Sequence, residues 1–455
     1  MKMEHTLHSD KQESGTMDLL GFMIKLSHYC FIVPKKTMVD SSWKYKLFRL
    51  TQMILVLLFP PTLFTKMIAM NHFWGQMEVI TYILVTGLPM YIGFHGGAYF
   101  FKNCKEIRNI VDQMETNSVF THPLVHSKDH LKQILIDTKR KCINITLLVT
   151  VSECITLFGF IMKPFIVSHL LDKEGKTDEE IVDEIWKNII FTMWLPIDPR
   201  DPLTYYILYT FQVVIALAYF CFTGPIVALI FVLARYASAQ FAVVSAALKD
   251  VDVLFNFPKP HLTIDTKLKN QFEMKQELQR ASLIMEVSES ILVNEDVNTN
   301  EMYSYVRECV RLHQSAIRFA KEVNDVFSPI FFLYLSVHTA ILVVVVFQIA
   351  VDSSTGSRVL FGCLASVILM HCFGFCWHGQ ELIDQSLAVE RAAYNILWYN
   401  HPRSVKELFL LIILRSQKEV ELKGLGYINL SINTFSLILN SVYQWLTVLL
   451  NMHDE

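Results

Sequence analysis

Seven separate runs of apolar residues, at 46–68, 77–101, 143–168, 203–234, 329–351, 357–380 and 427–451, constrain this chain more than anything else in it. Each is long enough, at ~1.5 Å per residue, to cross a hydrocarbon core of about 30 Å as a helix. A composition of 52% hydrophobic and 18% charged residues agrees with a chain that lives in a bilayer. The expected fold class is an all-α membrane protein of seven transmembrane helices.

The basic residues between the runs set the expected orientation, because cytoplasmic segments collect Lys and Arg close to the membrane. Lys35, Lys36 and Lys44 precede the first run and Lys46 and Arg49 lie at its start, and Lys102, Lys105, Arg108, Lys128, Lys132 and Lys139 follow the second. Arg235 leads into the fourth connection and Arg307, Arg311 and Arg318 lie near its end, and Arg391, Arg403, Lys406, Arg415 and Lys418 lie in the sixth. By contrast, Met70 to Gln76 has no basic residue, and the third connection is acidic at Asp172, Glu174, Asp178, Glu179 and Glu180. The N-terminus is therefore expected in the cytosol and the C-terminus outside, the reverse of a G-protein-coupled receptor. The Asp-Arg-Tyr and Asn-Pro-x-x-Tyr landmarks of those receptors are also missing.

On this reading the chain divides into a cytosolic arm (1–45), spans one to four (46–236), a cytosolic helical connection (237–328), spans five and six (329–381), cytosolic anchor helices (382–426), and a last span with a short extracellular tail (427–455). The connection is expected to hold helices over Phe272–Val287 and Met302–Asp325, broken by Pro258, Pro260 and the polar run Asn294–Asn300. Pro402 is expected to open an anchor helix whose sticky face is Leu408, Leu411, Ile412 and Leu414, ending at Gly424 and Gly426.

Asn429, Asn433, Ser436, Asn440, Gln444 and Thr447 recur in the last run at steps of three or four and share a helical face. Such a stripe fits a wet pore wall closed at its outer end by Leu446 and Leu450. It fits equally well a set of polar contacts between packed helices.

Other classes find less support. A net charge of -3 offers no basic footprint for nucleic acid. The polar first sixteen residues lack the pattern of a removable signal peptide. Nine scattered cysteines imply no disulfide framework. His371, Cys372, Cys376 and His378 lie in an apolar helical run, which favours packing over a metal site. The sequons at Asn144 and Asn429 fall inside expected membrane helices. There is no nucleophile–base pair or phosphate loop for an enzyme, and no cofactor is called for. A secondary transporter would show repeated halves and a buried charge pair. Glu153 in the third run is the one such acid noted, open to a role on a pathway, with a backbone group, or toward a basic ligand.

The run Phe373-Gly374-Phe375-Cys376-Trp377-His378-Gly379-Gln380-Glu381-Leu382, then Ser386, Ala392-Ala393-Tyr394 and Trp398-Tyr399, resembles the C-terminal signature of insect odorant receptors. The match continues through Arg415-Ser416-Gln417-Lys418, Gly424, Gly426, Phe435 and Tyr443 to Thr447-Val448-Leu449-Leu450. Ser441-Val442-Tyr443-Gln444-Trp445 departs from the ending of related gustatory receptors. The resemblance implies a tetrameric, ligand-gated, non-selective cation channel in the plasma membrane of an olfactory neuron, formed with a co-receptor subunit. The last span would line the pore, with gate positions at Leu446 and Leu450 and Leu449 beside them. A small volatile hydrophobe would bind in the outer half of spans two, three, four and six. The candidates there are Tyr82, Ile83, Thr86, Ser152, Ile155, Gly159, Tyr209, Val213, Phe361 and Leu364.

Overall fold

A computed structural model describes residues 25–34, 42–116, 122–170, 189–197, 200–255, 274–351, 355–396 and 398–454, together with Val119, Val182 and Trp186. Pro258, Pro260 and the acidic third connection fall outside these residues. Seven helical elements are long and apolar enough to span a membrane. The first span is two helices, Ser42–Leu57 and Phe59–His72, restarted where Pro60 and Pro61 occupy first-turn positions that need no N–H partner. Met77–Lys102 is the second span and Asp129–Leu170 the third. Pro202–Leu254 is the fourth, Met274–Val351 the fifth and Thr355–Asn395 the sixth. The seventh is Ile432–Asp454.

The fourth span is the axis of the bundle, with 67% of its most apolar window buried. Its start is fixed by Asp201, whose carboxylate accepts from the Thr204 backbone N–H at 3.0 Å ahead of Pro202 at the first helical position. Beyond Arg235 the helix runs on to Leu254 and is gripped from three sides. Arg235 pairs with Glu381 of the sixth span, and Tyr236 donates its hydroxyl to the Met114 carbonyl at 2.7 Å. Lys128 meets Asp250 at 2.8 Å and Tyr305 at 2.8 Å.

Two sequence expectations change here. The helix leading into the fifth span is unbroken from Met274 to Val351 and passes straight through Asn294–Asn300. Asn and Asp weaken a helix interior by only a few tenths of a kcal/mol each, roughly, so a polar run alone does not stop one.

The second change lies before the seventh span. The anchor helix is Arg403–Ser416 and ends well before Gly424. A small hairpin follows, with Lys423–Gly424 paired antiparallel to Ile428–Asn429, so Asn429 sits at the end of a strand and its sequon lies ahead of the seventh helix rather than in it. The turn needs positive φ at both central positions, taken by Leu425 (49°) and Gly426 (78°). The strained leucine is held by its neighbours. Its N–H donates at 2.7 Å to the Ser328 hydroxyl, which itself donates to the Lys423 carbonyl at 2.6 Å. Asn324 accepts from the Lys423 N–H at 2.7 Å, and Ser386 from the Val420 N–H at 3.1 Å. The seventh span therefore leaves from a collar bolted to the fifth and sixth.

The anchor helix splits its apolar residues between two faces. Val405, Phe409, Ile412 and Ile413 are buried, whereas Leu411 and Leu414 stand exposed on a surface this chain does not cover.

Candidate ligand cavity and pore helix

Three buried ionisable side chains converge between the third, fifth and sixth spans. His338 Nδ1 lies 2.7 Å from the Tyr334 carbonyl, which can only accept, so this nitrogen carries the proton. His338 Nε2 is then an acceptor, and His371 Nδ1 donates to it across 3.3 Å. The remaining His371 nitrogen, Nε2, faces Glu153 Oε1 at 3.6 Å. Glu153 packs against Gly224 on the fourth span, where a Cβ would sit 3.4 Å from Glu153 Cγ, in ordinary van der Waals contact.

This polar row opens into a cavity. The second span contributes Val85, Thr86, Pro89 and Met90, and the third contributes Glu153, Thr156, Leu157 and Phe160. Ala216, Tyr219 and Phe220 come from the fourth, His338 and Ile341 from the fifth, and Leu364, Val367, Ile368 and His371 from the sixth. A largely apolar wall with a few convergent polar groups is the usual make-up of a small-molecule pocket. Phe191, from the segment between the third and fourth spans, covers one side. Gln212 fixes it by accepting from its N–H at 3.0 Å and donating to its carbonyl at 2.9 Å.

Of the candidates read from sequence, Thr86 and Leu364 line this cavity. Tyr82 and Phe361 meet edge to face beside it, ring centres 5.6 Å apart. Ile83 is buried in a separate cluster with Ala69 and Phe73. Ser152 donates to the Val149 carbonyl at 2.9 Å and Tyr209 to the Ile161 carbonyl at 3.1 Å. Gly159 packs toward Leu360, Val213 is half-buried against the core, and Ile155 is 60% exposed on the outer face of its helix.

His338 and His371 were missed as cavity residues. Their signal was present, since ionisable side chains inside apolar runs tend to be functional. Glu153 is also not the only ionisable group in the bundle. Lys66 is buried and donates to Thr86 Oγ1 at 2.6 Å and to the Thr192 carbonyl at 3.4 Å, and buried Lys163 donates to the Tyr82 hydroxyl. Among the described residues no group of His, Cys, Asp or Glu is placed to hold a metal.

The seventh span contrasts with the fourth, with only 11% of its apolar window buried. Asn433, Ser436, Asn440 and Gln444 are all exposed on it. Leu439, Tyr443, Leu446 and Leu450 follow one another at steps of three and four and flank that stripe. Leu446 and Leu450 are half-buried, and Leu449 packs against the core.

The family described as 7tm odorant receptor matches residues 97–443. This chain belongs to that family. Among its relatives are odorant receptor Or2 of Anopheles gambiae, 23% identical over 34% of this chain, and odorant receptor 85f of Drosophila melanogaster, 24% identical over 32%. The matched stretches span about two fifths of those receptors' own length, 40% and 38%. The fold is similar to the solved insect olfactory receptor OR5 from Machilis hrabei in complex with eugenol. That likeness has a TM-score of 0.72 over 96% of this chain and 99% of the other, at 12% identity. The odorant receptor family and the seven spans together make this a multi-pass membrane protein.

Proposed function

We propose that this odorant receptor family member is the ligand-tuning subunit of an odorant-gated cation channel, assembled as a heterotetramer with a co-receptor subunit in the plasma membrane of an olfactory neuron. The stripe Asn433, Ser436, Asn440 and Gln444 on the exposed face of the seventh span carries this reading. Uncompensated amides facing lipid are costly, and a water-filled conduit shared between subunits removes that cost. The exposed Leu411 and Leu414 of the anchor helix suit the cytosolic contact such an assembly needs. The cavity suits a small, mostly apolar volatile ligand, and a receptor of the same fold is solved with eugenol.

The test is membrane current in cells expressing the chain with and without a co-receptor, against a chemically broad volatile panel. Ligand-evoked cation current that requires both subunits is the expected result. No evoked current with any co-receptor, at normal surface expression, overturns the proposal.

Two further outcomes are expected. Substituting Thr86 by valine or Leu364 by phenylalanine reshapes the cavity wall and should shift ligand rank order by roughly tenfold, about 1.4 kcal/mol, without altering ion selectivity. An unchanged response profile for both variants would place the ligand elsewhere. For orientation, an epitope joined after Glu455 should stain intact cells. Staining only after permeabilisation would reverse the proposed topology.

A further inference from the structure

The hydrogen bonds that run from the Tyr334 carbonyl through His338 to His371, which ends 3.6 Å from Glu153, have a direction, and that direction bears on what the cavity recognises. With His338 Nδ1 committed to the carbonyl at 2.7 Å and His371 Nδ1 committed to His338 at 3.3 Å, His371 Nε2 is left as an acceptor. It is buried, lines the cavity and has no hydrogen-bond partner among the described residues.

The proton arrangements at its contact with Glu153 differ in what they leave, and a protonated Glu153 whose O–H turns to the cavity leaves His371 Nε2 without a donor. If Glu153 is ionised and His371 neutral, the cavity faces two acceptors 3.6 Å apart with no donor between them. If Glu153 is protonated and gives its O–H to His371 Nε2, the other carboxyl oxygen still accepts. If His371 is doubly protonated and donates to Glu153, a carboxylate oxygen again accepts. In every arrangement that satisfies the histidine, the group left for a ligand is an acceptor.

Tyr219 of the fourth span also lines the cavity and its phenol can donate, so the acceptor character belongs to the Glu153 and His371 end and not to the whole wall. Thr156 spends its hydroxyl on the Ser152 carbonyl at 3.0 Å. The Lys66 ammonium donates to Thr86 on the cavity wall and the Lys163 ammonium to Tyr82, and neither lysine is itself among the groups lining the cavity. The Tyr334 hydroxyl is buried without a partner among the described residues and is not among the groups lining the cavity.

We infer that this cavity selects small apolar ligands whose polar end is a hydrogen-bond donor, an alcohol, phenol or protonated amine, over acceptor-only esters, ketones and ethers, through Glu153 and His371. This inference rests on the ligand-binding reading of the cavity proposed above. A donor ligand completes the row, whereas an ether oxygen set against a carboxyl oxygen leaves both unsatisfied.

The experiment compares matched pairs, an alcohol with its methyl ether and a phenol with its anisole, plus a primary amine of similar size. Responses are read as concentration–response curves in cells and as ligand-induced thermal stabilisation of the purified chain in lipid nanodiscs. The donor member of each pair is expected to be about tenfold more potent, the effect of one hydrogen bond to a buried polar group. Glu153→Gln keeps an acceptor oxygen and the size of the side chain, so it should retain the alcohol preference while losing the response to the amine. The double variant Glu153→Leu, His371→Phe removes both acceptors and should bring the alcohol-to-ether ratio close to one while leaving the potency of ethers intact. Equal potency of alcohol and ether in the unmodified chain overturns the inference, as does a preference that survives the double variant. If no current appears at all, the channel reading fails, and the nanodisc measurement still decides the preference. Should the double variant not reach the membrane, the Glu153→Gln amine response decides it alone.

Discussion

Replacing Gly379 by alanine is expected to abolish correctly assembled protein, the largest effect of a glycine-to-alanine change among the described glycines. Gly379 lies on the sixth span directly beneath the strand that leads into the seventh. A Cβ there would penetrate the Leu430 carbonyl oxygen and lie 2.5 Å from Leu430 Cβ and 2.8 Å from its carbonyl carbon. These are mainly backbone atoms, in the chain that runs between the clamped hairpin and the helix start, where the Ile432 N–H donates to Gln380 at 3.4 Å. Nothing there can rotate aside. Ordinary overpacking of a core costs about 1–3 kcal/mol, and a clash against fixed backbone should exceed it. The control lies on the same helix. A Cβ at Gly362 meets nothing within 4 Å, so Gly362→Ala should be neutral or add up to ~1 kcal/mol through helix propensity. Surface labelling and thermal unfolding of detergent-purified protein check both. Normal surface expression and unfolding temperature for Gly379→Ala would mean that the hairpin does not dock on the sixth span as described.

That clamp is also where the sequence was least legible. Hydropathy located all seven spans because apolar length is a local property, readable one window at a time. The start of the seventh was misplaced by about five residues because Tyr427, Ile428 and Leu430 are apolar enough to extend the run. What makes them a hairpin is a set of contacts from Asn324, Ser328, Ser386 and Gly379, distant in the chain.

The cavity was legible only in part, for a related reason. Periodicity tells which residues of a helix share a face but not which way that face is turned. Thr86 and Leu364 fell inside and Ile155, on a helix with the right depth, fell outside. The histidine row was invisible as a unit because His338 and His371 are on different spans and gain direction only from the Tyr334 carbonyl.

Replacing Leu450 by asparagine should raise ligand-independent current. On the proposed reading, Asn433, Ser436, Asn440 and Gln444 keep the conduit wet along most of its length. Leu450 continues the Ser436–Tyr443 row in steps of seven, one turn beyond Leu446, where the exposed face becomes apolar. Water leaves a narrow leucine-lined constriction far more readily than an amide-lined one, so such a ring closes by dewetting. Moving a polar amide out of water into apolar surroundings costs about 1–3 kcal/mol by protein mutational measures. If the closed ring provides those surroundings and the open one is wet, the closed state loses that much. The opening equilibrium then shifts by roughly 5- to 150-fold, at 1.4 kcal/mol per factor of ten. In a mixed tetramer this chain supplies only part of the ring, so the lower end of that range is expected. Packing between helices predicts something else: Leu450→Asn would destabilise the bundle and lower surface expression with no resting current. Whole-cell current at zero ligand, normalised to surface label, separates the two. Unchanged resting and evoked currents at normal expression would remove Leu450 from the gate. Leu449→Asn is the internal comparison, because Leu449 packs against the core and its loss should reduce expression rather than open the channel.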